Sequence, residues 1–154
     1  MPLSEICALP VADIADENCL LFLWITSPEL PDAFKVGKSW GFKYITVGFV
    51  WNKQIPVKGH YTMSLCEQCL TFKKGKIPQP QGARNVRQLY TEQESIEITL
   101  PEFLSIKKGS HSVKPYQIAH RITKMFPTQS KIELFARPTE LTKIAGWDYW
   151  GNEV

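Results

Sequence analysis

The sequence predicts an α/β layered domain with a mainly parallel sheet, and three observations predict it. The run Leu20-Leu21-Phe22-Leu23-Trp24-Ile25 is apolar on both alternating faces, the pattern of a central strand covered on two sides. A helix with its own start and stop signals follows directly over about 28–40. Near the C-terminus a second amphipathic helix leads into another strand, and this alternation of helices and strands argues for crossover connections. The 154 residues are 44% hydrophobic and 21% charged, enough for one core, so a single domain spanning 1–154 is expected.

Taken in order, Leu3, Ile6, Leu9 and Ile14 stand at helix-like intervals, with Pro10 expected to divide the segment into two short helices. After the apolar strand, Ser27-Pro28-Glu29 supplies an N-cap, a first-turn proline and an early acid. Leu30, Phe34, Gly37 and Trp40 then follow at helical spacing until Gly41 closes the helix. Residues 43–51 are β-branched and aromatic, and 64–73 form a second strand after a loop from Asn52 to Tyr61. Ile96, Ile98 and Leu100 alternate with polar residues and predict a half-buried strand over 95–100, and 105–112 is expected as a basic loop. Pro115 opens a helix with Ile118, Ile122, Met125 and Phe126 on one stripe, and 131–136 is a strand with Ile132 and Leu134 on one face.

Eighteen Lys+Arg against fifteen Asp+Glu give a net charge of +3, which permits a nucleic-acid partner without requiring one. No basic cluster precedes an apolar run at the N-terminus, so no secretory signal is read there. The longest apolar stretch, Cys19 to Ile25, is far below the about 18 residues of a membrane span. With Cys7, Cys19, Cys66 and Cys69 read as thiols, the expected location is a reducing cytoplasm, away from membranes. Cys66-x-x-Cys69 is half a zinc site without a second ligand pair, and a strand would turn the two thiols to opposite faces, so no metal is expected. Nucleotide-binding glycine loops, the G-x-S-x-G elbow and H-E-x-x-H are absent from these residues.

Three groups remain as candidates. Lys114, just before a helix-opening proline, is either a solvated lysine or an ammonium that holds a carboxylate or phosphate at the helix entrance. Glu133, Arg137, Thr139 and Glu140 surround the carboxyl end of the last strand, where they either accept from ribose hydroxyls or form ion pairs. Lys73, Lys74, Lys76, Arg84 and Arg87 lie in a stretch with two prolines, two glycines and no acid, which reads as an exposed loop suited to a phosphate backbone or merely to water. Lys107 and Lys108 add to that basic surface, and Tyr61 and Tyr90 are candidates to stack on an unpaired base.

The ordered set Leu21-Phe22-Leu23-Trp24-Ile25-Thr26, Trp40-Gly41-Phe42-Lys43, Phe49-Val50-Trp51-Asn52-Lys53, His111-Ser112-Val113-Lys114-Pro115, Lys131-Ile132-Glu133-Leu134-Phe135-Ala136-Arg137 and Gly146-Trp147-Asp148-Tyr149-Trp150-Gly151-Asn152-Glu153-Val154 resembles the MT-A70 family of adenine methyltransferases, microbial and phage members most of all. The resemblance runs from Leu3 to Val154 and implies a Rossmann-like methyltransferase sheet, S-adenosylmethionine as cofactor and the exocyclic amine of adenine as methyl acceptor, in DNA or RNA, with DNA the favoured partner. It implies that Lys114 meets the methionine carboxylate, that Arg137, Thr139 and Glu140 approach the ribose, and that Asn152 and Glu153 reach the adenosine end. Glu140 is a less usual residue at its position, although a carboxylate can accept from two hydroxyls. Tyr61, Thr62 and Glu67 match the family's Y-x-T-R-x-x-x-E segment, with Met63 where an arginine is common.

One part of the family pattern is missing. Its Asp-Pro-Pro-Trp motif, which holds the adenine amine and stacks on the base, is not among these residues, and Met1-Pro2-Leu3-Ser4-Glu5-Ile6 resembles a segment that follows that motif. The chain therefore reads as N-terminally truncated relative to the family, with no catalytic residue assigned and no activity expected alone, because orientation of the amine supplies about 7–11 kcal/mol of such a barrier. A misassigned start, a degenerate chain, and a non-catalytic nucleic-acid-binding subunit that pairs as a homodimer or with an active relative are the readings this leaves open.

Overall fold

In the computed structural model, which describes residues 1–59, 61–77, 80, 82–91, 114–140 and 142–152, with the backbone alone for 54–57, Pro10 divides the first segment as expected into α1 (Leu3–Ala8) and α2 (Val11–Ile14). The chain packs as two compact units, one of residues 1–78 with 87–105 and the other of 79–86 with 106–154.

In the first unit β1 (Cys19–Ile25) is followed by a 3₁₀ turn over Ser27–Glu29 and α3 (Leu30–Ser39), with a proline in the first turn of each. Thr26 rather than Ser27 flanks the turn, its Oγ1 lying 3.2 Å from Glu29 Oε2. Gly41 ends the helix at φ +82°, and the amides of Gly41 and Phe42 donate to the carbonyls of Lys38 and Gly37 at 3.0 and 2.8 Å, a Schellman stop. Trp40 donates its indole N–H to Ile6 O at 2.9 Å and ties α1 down. β2 (Lys43–Lys58), β3 (Met63–Lys74) and β4 (Leu89–Thr91) complete a four-stranded sheet in the order β1-β3-β2-β4.

This sheet corrects the expected mainly parallel arrangement. β3 runs antiparallel to both β1 and β2, and only β4 lies parallel to β2. The link from β2 to β3 is too short for a crossover helix, so the two strands form a hairpin. β1 and β2, joined through α3, do run the same way, but β3 folds back between them and pairs with both. A second correction follows: among the described residues β1 closes the sheet order instead of lying at its centre, and each of its residues is half-buried. The loop expected from Asn52 is strand as far as Lys58, with register shifts that bend β2 along its length. The core beneath α3 consists of Ala33, Val36, Trp40, Phe42, Phe49, Leu70 and Phe72. Gly37 is required there, because a Cβ on it would stand 2.4 Å from the Phe72 ring.

The second unit holds α4 (Tyr116–Met125), β5 (Lys131–Leu134) and β6 (Trp147–Trp150), the two strands forming a parallel pair from Lys131↔Trp147 to Leu134↔Trp150. Ile118 and Ile122 are buried as the helical stripe predicts, whereas Ile132 of β5 is exposed. The strand expected over 95–100 and the loop over 105–112 lie outside the described residues. No helix among the described residues is long and apolar enough to cross a membrane.

Candidate cofactor site

The second unit brings four of the expected cofactor residues, Arg137, Thr139, Glu140 and Asn152, to the carboxyl ends of two paired strands, and holds Lys114 just before α4. A five-residue turn, 126–130, separates α4 from β5, so the helix carboxyl end lies close to the strand's beginning. The indole N–H of Trp147 donates to Thr123 Oγ1 at 2.9 Å, fastening the start of β6 to the last turns of α4 in the same sense. With about 1.5 Å per helical residue and about 3.3 Å per strand residue, the ten-residue helix and four-residue strands have similar lengths.

Lys114 is half-buried, immediately before Pro115, whose φ of −66° and ψ of 114° direct the chain into α4. β5 stops at Phe135, held at φ +58°, and the amide of the buried Ala136 donates to Trp150 O at 2.9 Å. Arg137, Thr139 and Glu140 therefore leave β5 where Gly151 and Asn152 leave β6. Gly151 packs so closely that a Cβ on it would meet Ala136 O at 2.8 Å. Thr139 organises the loop: its amide donates to Thr142 Oγ1 at 2.8 Å, and its carbonyl accepts from the amides of Thr142 and Lys143, each at 3.0 Å. Arg137 and Asn152 are exposed, as is Glu140, which pairs with Lys143 at 3.5 Å. Glu153 lies outside the described residues.

One member of this region was not anticipated. Gln117, in the first turn of α4, is only 7% exposed, and its Oε1 has no hydrogen-bond donor among the described residues. An unpaired buried amide oxygen costs about 1–3 kcal/mol. A lysine three residues before an unserved acceptor offers a donor and an acceptor on one short segment, a set that fits the amino-acid end of the expected cofactor. The lone signal in sequence was a polar residue at the edge of an apolar stripe.

Desolvation pushes the Glu133 carboxyl in β5 above its ordinary value. The folded chain then holds this proton more tightly than the unfolded chain, so stability falls as pH rises through the interval between the unfolded and folded values. We expect Glu133→Gln to melt above the wild type at pH 7, with the difference vanishing below about pH 3, where folded and unfolded chains are both neutral at this position. Melting curves across that range check it.

The basic stretch is less uniform than its composition suggests. Lys73 and Lys74 finish β3 rather than open a loop. The Lys74 ammonium donates to the carbonyls of Ala12 and Ala15 at 3.3 and 3.1 Å, closing the end of α2. Lys73 is exposed directly across from Lys43, and this like-charged row was invisible before the hairpin register was known. Lys76, Arg84 and Arg87 are exposed, with Arg84 Nε donating to Pro80 O at 3.3 Å, and Lys107 and Lys108 lie outside the described residues. Tyr61 is fully exposed, but Tyr90 is buried opposite Trp51 and presents no face to a base. Cys66 is half-buried and Cys69 fully buried, three residues apart on β3 and so on opposite faces. No cluster of three metal-ligating side chains occurs among the described residues.

A model of the MT-A70 family matches residues 1–153, and the chain belongs to this family of methyltransferases, for which a Rossmann-like fold is implied. It is 47% identical over its 154 residues to the Type II methyltransferase M.MunI of a Mycoplasma species, an alignment that covers 100% of this chain. The chain spans 58% of that relative's length.

Proposed function

We propose that the chain forms the cofactor-holding part of an S-adenosylmethionine-dependent methyltransferase acting on the exocyclic amine of adenine in DNA, in the cytoplasm. The observation that supports this reading is the paired carboxyl ends of β5 and β6, where Arg137, Thr139 and Glu140 leave one strand as Asn152 leaves the other, with Lys114 just before α4 of the same unit. Lys114 takes the methionine carboxylate, Arg137, Thr139 and Glu140 serve the ribose, and Asn152 with Glu153 addresses the adenosine end. The cofactor supplies an electrophilic methyl group on a sulfonium. Methyl transfer to the amine nitrogen further requires that its lone pair be aimed and its proton removed, and the Asp-Pro-Pro-Trp motif assigned to that task is not among these 154 residues. The polypeptide by itself therefore binds cofactor and transfers no methyl group.

Titration calorimetry tests the cofactor assignment. The wild type should bind S-adenosylmethionine, and Lys114→Ala should weaken binding about 10- to 150-fold, the range of a hydrogen bond to a charged group. Undiminished binding by Lys114→Ala would refute the role of Lys114, and methyl incorporation into DNA by these 154 residues alone would refute the proposed inactivity.

A second reading, a nucleic-acid-binding subunit that pairs with an active relative or with itself, is favoured by the exposed Lys43–Lys73 row. It requires DNA affinity that falls with salt at a slope of about −0.9 per phosphate neutralised.

A further inference from the structure

We infer that Gln117 positions the cofactor, its Oε1 accepting a hydrogen bond from the ammonium of the same methionine moiety whose carboxylate Lys114 receives. The inference rests on the cofactor reading above and adds a residue to it. Gln117 stands at the second position of α4 and is 7% exposed. Helical side chains tilt toward the helix N-terminus and cover the preceding turn, a tendency that favours placing this side chain toward the segment of Lys114 and Pro115.

The entrance of α4 otherwise offers donors. Lys114 brings an ammonium, the first amides of a helix lack intrahelical acceptors, and the helix dipole is positive there. Such a place welcomes a carboxylate and repels a cation. An amino-acid zwitterion carries both, with its nitrogen about 2.5 Å from the carboxylate carbon, so a site that takes the carboxylate at this entrance needs an acceptor close by. Gln117 Oε1 is a buried acceptor that no donor of the described residues satisfies. A neutral amide also serves the ammonium without drawing off the charge of Lys114, which a carboxylate at this position would do.

The test is calorimetric titration of the 154-residue wild type and Gln117→Leu with S-adenosylmethionine and with methylthioadenosine, which lacks both the carboxylate and the ammonium. Gln117→Leu should bind S-adenosylmethionine about tenfold more weakly, bind methylthioadenosine as the wild type does, and melt no lower than the wild type without ligand. Gln117→Met, unbranched like glutamine, repeats the measurement should leucine disturb the packing. Equal S-adenosylmethionine affinity for variant and wild type overturns the inference, as does an equal loss for both ligands, which marks a purely structural role. Failure of the wild type to bind S-adenosylmethionine at all overturns the underlying cofactor reading instead, and this inference with it.

Discussion

Truncating Phe72 to alanine is expected to remove about 3–5 kcal/mol of stability, the range for deleting a large buried aromatic. Phe72 is 1% exposed on β3, in register with Leu21 of β1 and Tyr44 of β2, and so joins three strands at one point. Its ring meets those of Phe34 and Tyr44 edge-on, with centroids 6.2 and 5.6 Å away, and α3 approaches it through a glycine. Since domains are stable by only about 5–15 kcal/mol, this single change consumes a large share of the margin. Urea denaturation measures it, and a loss below about 1 kcal/mol would mean that the core is not built around this ring. The contact with Gly37 makes a sharper check. Gly37→Ala forces a methyl to within 2.4 Å of the ring and should destabilise the wild type. With Phe72 already truncated the same change has room, so the two substitutions should be strongly non-additive.

The second large effect is expected at Glu67. Its carboxylate, 8% exposed as a residue, accepts from the Lys53 ammonium at 3.1 Å across the hairpin. Glu67→Ala leaves that ammonium partly buried without this partner and should cost about 3 kcal/mol, the lower end for breaking a buried pair. Replacing both members, Lys53→Met with Glu67→Ala, removes the stranded charge and should return much of the loss. Chemical denaturation of the two single variants and the double variant gives the coupling directly. Full loss in the double variant would show that Glu67 is held by something other than Lys53. The result also bears on function, because Glu67 matches the acidic position of a family segment: in this chain its neighbourhood explains it first as a structural residue of the sheet.

The features that sequence reading located well are those settled within a few residues. The division at Pro10, the helix that stops at Gly41, the helix after Pro115 and the strand at 131 all depend on backbone chemistry that acts over one or two turns. The residues proposed to meet the cofactor stand out in the sequence as positions in motifs, whereas Gln117 does not, since an amide oxygen becomes an orphan only when the chain around it is packed. Tyr90 and Lys74 were misread for a related reason. Each looked exposed beside charged neighbours, yet pairing with β2 buries the ring and the end of α2 captures the ammonium.

By itself the sequence determined the local elements, the family and the kinds of groups available for binding. Tertiary structure alone decided the strand order, the like-charged row of Lys43 and Lys73, the pairing of β5 with β6 and the tie between Trp147 and α4. The physical reason is range: capping, proline and alternation act through neighbouring backbone groups, whereas the choice of β3 to pair with both β1 and β2 depends on long-range burial and hydrogen bonding that no short window contains.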